Sequence, residues 1–460
     1  MRLSKLNIKK INLLDVDDNY SAQDILMKMG ELYQFESGIY AYGTIWLKLQ
    51  KNIENIIIEE LDKADCMQVE FPKLQPKKIW EQSNRWSVYT KENDIMYTIE
   101  NNLGEYGLAP TAEECATIYG SNRLLSYKNL PATYYQISEK FRKEIRARGY
   151  LFRPRTFTMM DAYSFDKSKE DMNKTYNKMH EVYLKIFERL GIKIIPTVSD
   201  GGTMGGNVSE EFQAVTALGE DTILYDEDLD VGINKEVLDF ENKDEYLAQL
   251  NIKDISKMKE YSSVELGNNF QLGTKYSESM GLFFKDEQGK EKPYYMGCYG
   301  IGVGRIVATI LENNVIKENE KIKGFSIPAN IAPYKVQIIY KEDKKNIAED
   351  LYKQLNEMSV PCIIDDRDDE SIGSKIKDAH IMGTPYVIVL GNRFENGIVE
   401  IEETKSCKKY EVDFEKVGMF FKTRNSEGIR KEFRRNSEGI RDVLVFLHNW
   451  HNFRMHRIRR

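Results

Sequence analysis

Apolar residues recur along the chain at spacings that separate helices from strands. Over 171–190, Met172, Tyr176, Met179, Tyr183, Ile186 and Leu190 step by four and three, so they share one face of a helix, and Gly191 supplies its stop. His180 lies within this helix and reads as a surface or packing residue. A second helix is expected over 45–61, where Ile45, Leu49, Ile53, Ile56, Ile57 and Leu61 keep helical spacing. Val69 to Pro72 reads as a short strand ended by proline. Residues 133–137 and 156–161 read as the arms of an antiparallel hairpin, with a long loop between Glu144 and Arg155. The stretch 226–261 is acidic and weakly patterned, so it reads as a small insertion outside the core; 313–327 is polar and reads as a linker. Beyond it the pattern turns to β-α-β-α-β: a strand over 334–340, a helix carrying Ile347, Leu351 and Leu355, a strand over 362–364, a helix over 371–382 and an apolar strand over 385–390. That alternation predicts a separate α/β domain of roughly 90 residues.

Composition narrows the class. The 460 residues can form two or three domains, with 41% hydrophobic and 30% charged residues. Net charge is −7, distributed unevenly: 424–460 carries ten Lys/Arg and four Asp/Glu, leaving an acidic body. A local basic patch is enough for a nucleic-acid partner, so the overall charge does not exclude one. The tail repeats Arg-Asn-Ser-Glu-Gly-Ile-Arg at 424–430 and 435–441 and holds His448, His451 and His456; it reads as a poorly ordered basic extension. The five cysteines form no C-x-x-C pair and there are five histidines, which speaks against a structural zinc site and suits a reducing compartment. The first ten residues are too basic and interrupted for a signal peptide, and no run reaches the length of a membrane span.

The chemistry concentrates in two places. Phe141-Arg142-Lys143-Glu144 is followed by Arg146, Arg148, Arg153, Arg155, Phe157 and Asp161. Alternate strand residues face the same way, so Arg142 and Glu144 could share a pocket, where arginine grips a carboxylate or phosphate and Phe157 stacks on a base; a surface ion pair is the plain alternative. Gly300-Ile-Gly-Val-Gly-Arg305 is the second place. It is not a dinucleotide fingerprint, because Arg305 stands where the third glycine is required, and no phosphate-loop motif is present, including around 201–206. Small residues leading into a helix at Gly304-Arg305 would let Arg305 reach a phosphate; a packing cluster of glycines is an equal reading.

These segments resemble the class II aminoacyl-tRNA synthetases: Phe141-Arg142-x-Glu144 with Phe157 is similar to motif 2, 300–305 to motif 3, and the segment ending at Pro72 to motif 1. The finer resemblance is to bacterial-type prolyl-tRNA synthetases, carried by Pro110-Thr-Ala-Glu-Glu114, Ser126-Tyr-Lys-Asn-Leu-Pro131, Tyr135-Gln-Ile137, Met160-Asp-Ala-Tyr-Ser-Phe165, Gln271-Leu-Gly-Thr-Lys-Tyr-Ser277 and Met296-Gly-Cys-Tyr-Gly-Ile-Gly302. Ile331-Ala-Pro333, Asp365-Asp-Arg367 and Ile388-Val-Leu-Gly391 resemble its anticodon-binding domain. The resemblance implies an α+β fold: a class II antiparallel sheet with flanking helices over 1–312, a linker over 313–330, a mixed α/β anticodon-binding domain over 331–422 and the tail from 423. It implies a cytoplasmic homodimer that uses ATP and Mg2+ to join L-proline to tRNA(Pro). By resemblance, Thr111 and Glu113 would hold the proline imino group, with Cys298 lining the pocket. Arg142 would bridge the proline carboxylate and the α-phosphate. Glu144, Arg153, Phe157, Glu265 and Asn268 would contact ATP, Arg305 its γ-phosphate, and Arg146 and Arg148 the tRNA acceptor end. Glu210 and Asn268 stand where the family usually has histidine, Tyr40 to Leu47 lacks the usual Leu-Pro, and 226–261 is too short for the large editing domain of many bacterial members. The alternative is a non-catalytic paralogue that binds tRNA or a regulatory partner.

Overall fold

The computed structural model describes residues 1–11, 21–144, 151–199, 209–229, 231–240, 243–250, 252–318, 321–392, 394 and 397–422. The chain divides into two compact units. One takes Tyr20–Leu238 and Lys257–Asn313; the other takes Asn314–Arg460 together with Met1–Asn19 and Asp239–Ser256. Two short segments that the linear boundaries assign to the first domain thus join the second.

The first unit is built on a nine-stranded sheet: β1 (Met67–Gln68), β2 (Ala132–Phe141), β3 (Thr156–Asp166), β4 (Ile195–Ser199), β5 (Ser209–Val215), β6 (Asp221–Asp226), β7 (Val231–Asn234), β8 (Lys259–Gly273) and β9 (Tyr295–Gly302). Their order is β5-β4-β7-β6-β8-β9-β3-β2-β1. The pairing is antiparallel except for β1 with β2 and β4 with β7. Because β5 also pairs with β8, the strands β8-β6-β7-β4-β5 close on themselves. The stretch read as an insertion is therefore not wholly peripheral. Val231–Asn234 is buried throughout and completes this ring; four residues are too short to show the alternation that would have revealed a strand.

The longer helices of this unit include α1 (Thr44–Lys63), α2 (Glu113–Ser121), α3 (Lys169–Leu190) and α4 (Val303–Asn313). In α3, Ser168 Oγ accepts a hydrogen bond from Asp171 N at 3.1 Å, and Gly191 ends the helix in the left-handed region at φ 71°. All six stripe residues are buried against the sheet and α1. Truncating a fully buried Ile186 to alanine would cost about 2–5 kcal/mol in transfer and cavity terms.

The hairpin expected around the arginine turn is present and longer than its apolar pattern indicated. Phe141 pairs with Thr156, and Arg142 N donates to Arg155 O at 3.0 Å. The strand ends at Phe141, so Arg142 and Glu144 do not alternate on a strand. Glu144 N donates back to Arg142 O at 2.9 Å, and this tight turn brings both side chains to the same cavities.

In the second unit, β10 (Val336–Tyr340), β11 (Cys362–Asp365), β12 (Tyr386–Leu390), β13 (Ile398–Glu403) and β14 (Lys408–Asp413) form a sheet in the order β11-β10-β12-β13-β14, with α5 (Lys345–Glu357) and α6 (Ile372–Ile381) packed on it. β10, β11 and β12 are parallel and the last two strands are antiparallel. The open edge at β11 is covered by the chain's first residues: Arg2 bridges to Ile364 and its guanidinium grips Glu349 at 2.6 and 2.9 Å. The segment read as a linker is a hairpin, Val315–Glu318 with Lys321–Phe325, with Ile322, Phe325 and Ile327 buried. It packs on α6 so closely that a side chain on Gly324, at φ 152°, would meet the His380 carbonyl.

Candidate active site

The ends of β2, β3, β8 and β9 converge on two adjoining cavities. One is lined by Phe152, Phe157, Glu265, Gly302 and Arg305. The other, of about 740 Å³, is lined by Tyr89, Thr111, Glu113, Asp161, Tyr163 and Cys298, within the size range of small-molecule sites. Arg142, Glu144, Arg153, Asn268 and Gly300 border both. Gly300 allows the two to adjoin: a Cβ there would lie 2.9 Å from Asn268 Oδ1.

The larger cavity ends in a buried polar cluster. Thr111 Oγ1 lies 2.8 and 2.7 Å from the two Glu113 carboxylate oxygens, and Glu113 Oε2 accepts from Arg85 Nη1 at 3.0 Å. The backbone of Ala112 donates to Tyr163 Oη at 3.0 Å, and that hydroxyl donates to Asp161 at 2.8 Å. Asp161 also takes Gln136 Nε2 at 2.8 Å and faces the Lys140 ammonium at 2.7 Å. Asp161 is thus fixed from behind by two donors of β2, Gln136 and Lys140, and Glu113 by Arg85. Cys298, on β9, is buried at the same end; burial, then the nearby Glu113 charge, pushes its thiol well above the usual range. A neutral thiol shapes the pocket and is a poor nucleophile.

In the smaller cavity the paired charges are partly exposed. Arg305, in the first turn of α4, donates to Phe152 O at 2.8 Å and to Glu265 O at 2.8 Å, and lies 3.2 Å from the Glu265 carboxylate. Asn268 Nδ2 donates to Glu265 Oε1 at 2.6 Å. The Arg142 guanidinium sits 5.2 Å from the Phe157 ring centre and donates to Pro110 O at 3.3 Å. Arg153 pairs with Glu220 at 2.5 Å. On β5, burial and then the Glu265 charge push the Glu211 carboxyl up to about 7. Every expected proline- and ATP-site residue therefore borders one of the two cavities, whereas Arg146, Arg148 and 201–206 lie outside the described residues.

Family models match both parts of the chain: the tRNA synthetase class II core domain (G, H, P, S and T) over residues 97–314, and the anticodon binding domain over 331–424. A proline–tRNA ligase of Ehrlichia ruminantium is 36% identical over 421 residues, 89% of this chain and 96% of that protein. One from Sulfurimonas denitrificans is 35% identical over 432 residues, 90% of this chain and 97% of the relative. The chain belongs to the proline–tRNA ligase family of class II synthetases. Its fold is shared with a solved prolyl-tRNA synthetase of Cryptosporidium parvum complexed with halofuginone and AMPPNP, at TM-score 0.70 and 16% identity over 91% of this chain and 77% of that one. A second structure of that enzyme, complexed with L-proline and AMP, gives TM-score 0.69 at the same identity.

Two of the departures from the family pattern noted in the sequence have different places in this structure. Asn268 is in the site, tethering Glu265. Glu210 is not: it lines neither cavity and meets His180 Nδ1 on α3 at 2.8 Å, both residues being buried. His180 is therefore a packed partner of an acid. Sequence reasoning missed Arg85 and Glu114, which are fully buried behind Glu113, and Tyr163 and Glu211. The available signal for Glu211 was its place next to Glu210, since adjacent strand residues face opposite ways.

Proposed function

We propose that this chain activates L-proline with ATP and transfers it to tRNA(Pro), through a prolyl-adenylate formed where the two cavities meet. The observation that carries the reading is Arg142: it borders both cavities, one ending in an acid–hydroxyl pair suited to an amine, the other lined by cations and an aromatic ring suited to a nucleotide. Proline would donate from its ammonium to Thr111 and Glu113, with Cys298 shaping the wall. Its carboxylate would lie against Arg142 and attack the α-phosphate, releasing pyrophosphate; the tRNA 3′-hydroxyl then displaces AMP. No side-chain nucleophile is required, because the work is positioning and charge neutralisation. Adenine would stack on Phe157 with Glu144 at its edge, while Arg153 and Arg305 would take the phosphates, each leaving a carboxylate partner. Arg146 and Arg148 would meet the acceptor end.

Magnesium is held by one or two carboxylates plus substrate phosphates, so its binding needs no protein-only cluster; among the described residues no group of three or more His, Cys, Asp or Glu could hold a metal. Glu265 with Glu211 behind it fits that donor set, since the two repel each other as they stand. The ion would neutralise phosphate charge when bound. We further propose a homodimer in the cytoplasm, with no editing in cis; among the described residues no helix is long and apolar enough to cross a membrane. The test is amino-acid-dependent ATP–pyrophosphate exchange across all twenty amino acids: exchange with proline alone is expected, and exchange with none overturns the activity. Hydrolysis of alanyl-tRNA(Pro) by the purified chain would overturn the absence of editing.

A further inference from the structure

We propose that Arg85 is a positioning residue for amine recognition: it fixes the Glu113 carboxylate so that its remaining lone pairs meet the substrate ammonium in one orientation. The proposal rests on the assignment of Thr111 and Glu113 to the proline amine. Arg85 is 28 residues away from Glu113 in sequence and 3% exposed. Its Nη1 divides between Glu113 Oε2 and Glu114 Oε1, 3.0 Å from each, and its Nη2 donates to Tyr89 Oη at 2.5 Å. Three rings box the guanidinium: Tyr89 at 4.5 Å, Trp80 at 5.1 Å and Tyr276 at 5.3 Å. Its plane is thereby held, so the direction of the Nη1–H group that Glu113 accepts from is fixed, which a freely rotating lysine ammonium cannot do. Glu114 is the pedestal: fully buried, it also accepts from Ser83 Oγ at 2.6 Å. Burial opposes the Arg85 charge, but Glu114 and Glu113 outweigh it and hold the guanidinium pKa above its ordinary value. Thr111 then approaches Glu113 from the opposite side. The carboxylate that meets the substrate is thus held between the Thr111 hydroxyl and the Arg85 guanidinium, and Arg85, which lines neither cavity, acts on the substrate only through it.

The experiment compares the full-length wild type with Arg85→Lys, reading kcat and KM for proline and for ATP in pyrophosphate exchange, and the inhibition constant of tetrahydrofuran-2-carboxylate, in which oxygen replaces the ring amine. Arg85→Lys should raise the proline KM about tenfold, the worth of one misplaced charged hydrogen bond. The ATP KM, kcat and the inhibition constant of the oxygen analogue should hold within about twofold, since only contacts to the amine pass through Glu113. Equal weakening of proline and the analogue, or a parallel rise in the ATP KM, would reduce Arg85 to a structural role and overturn the proposal. If Arg85→Lys does not fold, Glu114→Gln, which keeps an acceptor for Ser83, should raise the proline KM by a smaller factor with the analogue unmoved; an unchanged proline-to-analogue ratio overturns the proposal. If the wild type itself does not prefer proline to the oxygen analogue, the assignment of Thr111 and Glu113 fails and the proposal falls with it. A preserved preference in wild type with an unaltered ratio in Arg85→Lys sinks the Arg85 proposal alone.

Discussion

The two ends of the site hold their charges differently. At the amine end Glu113, Glu114 and Arg85 are almost wholly buried and paired with one another. At the nucleotide end the side chains of Arg305 and Glu265 are 28% and 24% exposed, and Arg153 is 47% exposed. A buried ion cluster is costly to break, because any member left alone is desolvated and unpaired. A half-exposed pair is worth about 0–1 kcal/mol, so a phosphate can replace the carboxylate at little loss. The amine end therefore presents a preset shape to a small ligand, and the nucleotide end exchanges partners for a large, flexible one.

That contrast can be broken at its hinge. Arg142→Ala removes a cation that serves both ends, and exchange activity should fall about 10³-fold, the scale for losing one preorganised donor, while the melting midpoint stays near wild type. A large fall in the midpoint would mark Arg142 as structural and the division as misdrawn. Thr111→Val deletes the hydroxyl clamp from the amine end and should raise the proline KM roughly ten- to hundredfold without moving the ATP KM; a change in both would show that the ends are not separable. Glu211→Gln probes the buried exception at the nucleotide end. The folded Glu211 carboxyl titrates near 7 against an ordinary 4.5, so between those values the folded chain keeps a proton that the unfolded chain has lost. Its contribution to stability is thus lost as pH rises through that window. Neutral glutamine avoids the loss, and the variant's advantage in unfolding free energy should grow by about 2–3 kcal/mol from pH 5 to pH 8. A constant difference refutes the assignment of that proton. Smallest is Arg153→Ala, expected to raise the ATP KM only about threefold and less at high salt, as befits an exposed pair.

The parts legible in the sequence are those whose signals are local. The six apolar positions of α3 gave its face and Gly191 its end, and the turn after Phe141 and the segment at 300–305 supply most of the smaller cavity's wall. The hairpin at 315–325 was hidden because its exposed side carries Lys317 and Lys323, so composition outweighed the buried Ile322 and Phe325. Arg85 was hidden for a different reason. No window of sequence links it to Glu113; their contact exists only once α2 and the segment after Gln82 pack together.

The contact between His180 and Glu210 joins a helix to the far face of the strand whose other face carries Glu211. Its consequence concerns ancestry more than chemistry. Neither position is free to change by itself: leaving a buried hydrogen-bonding group without its partner costs about 1–3 kcal/mol, a sizeable fraction of a typical domain's margin. The two sites should therefore be inherited as a couple, and the glutamate at 210 is to be read together with its partner at 180. Any lineage that restores histidine at 210 should be found to have altered 180 as well.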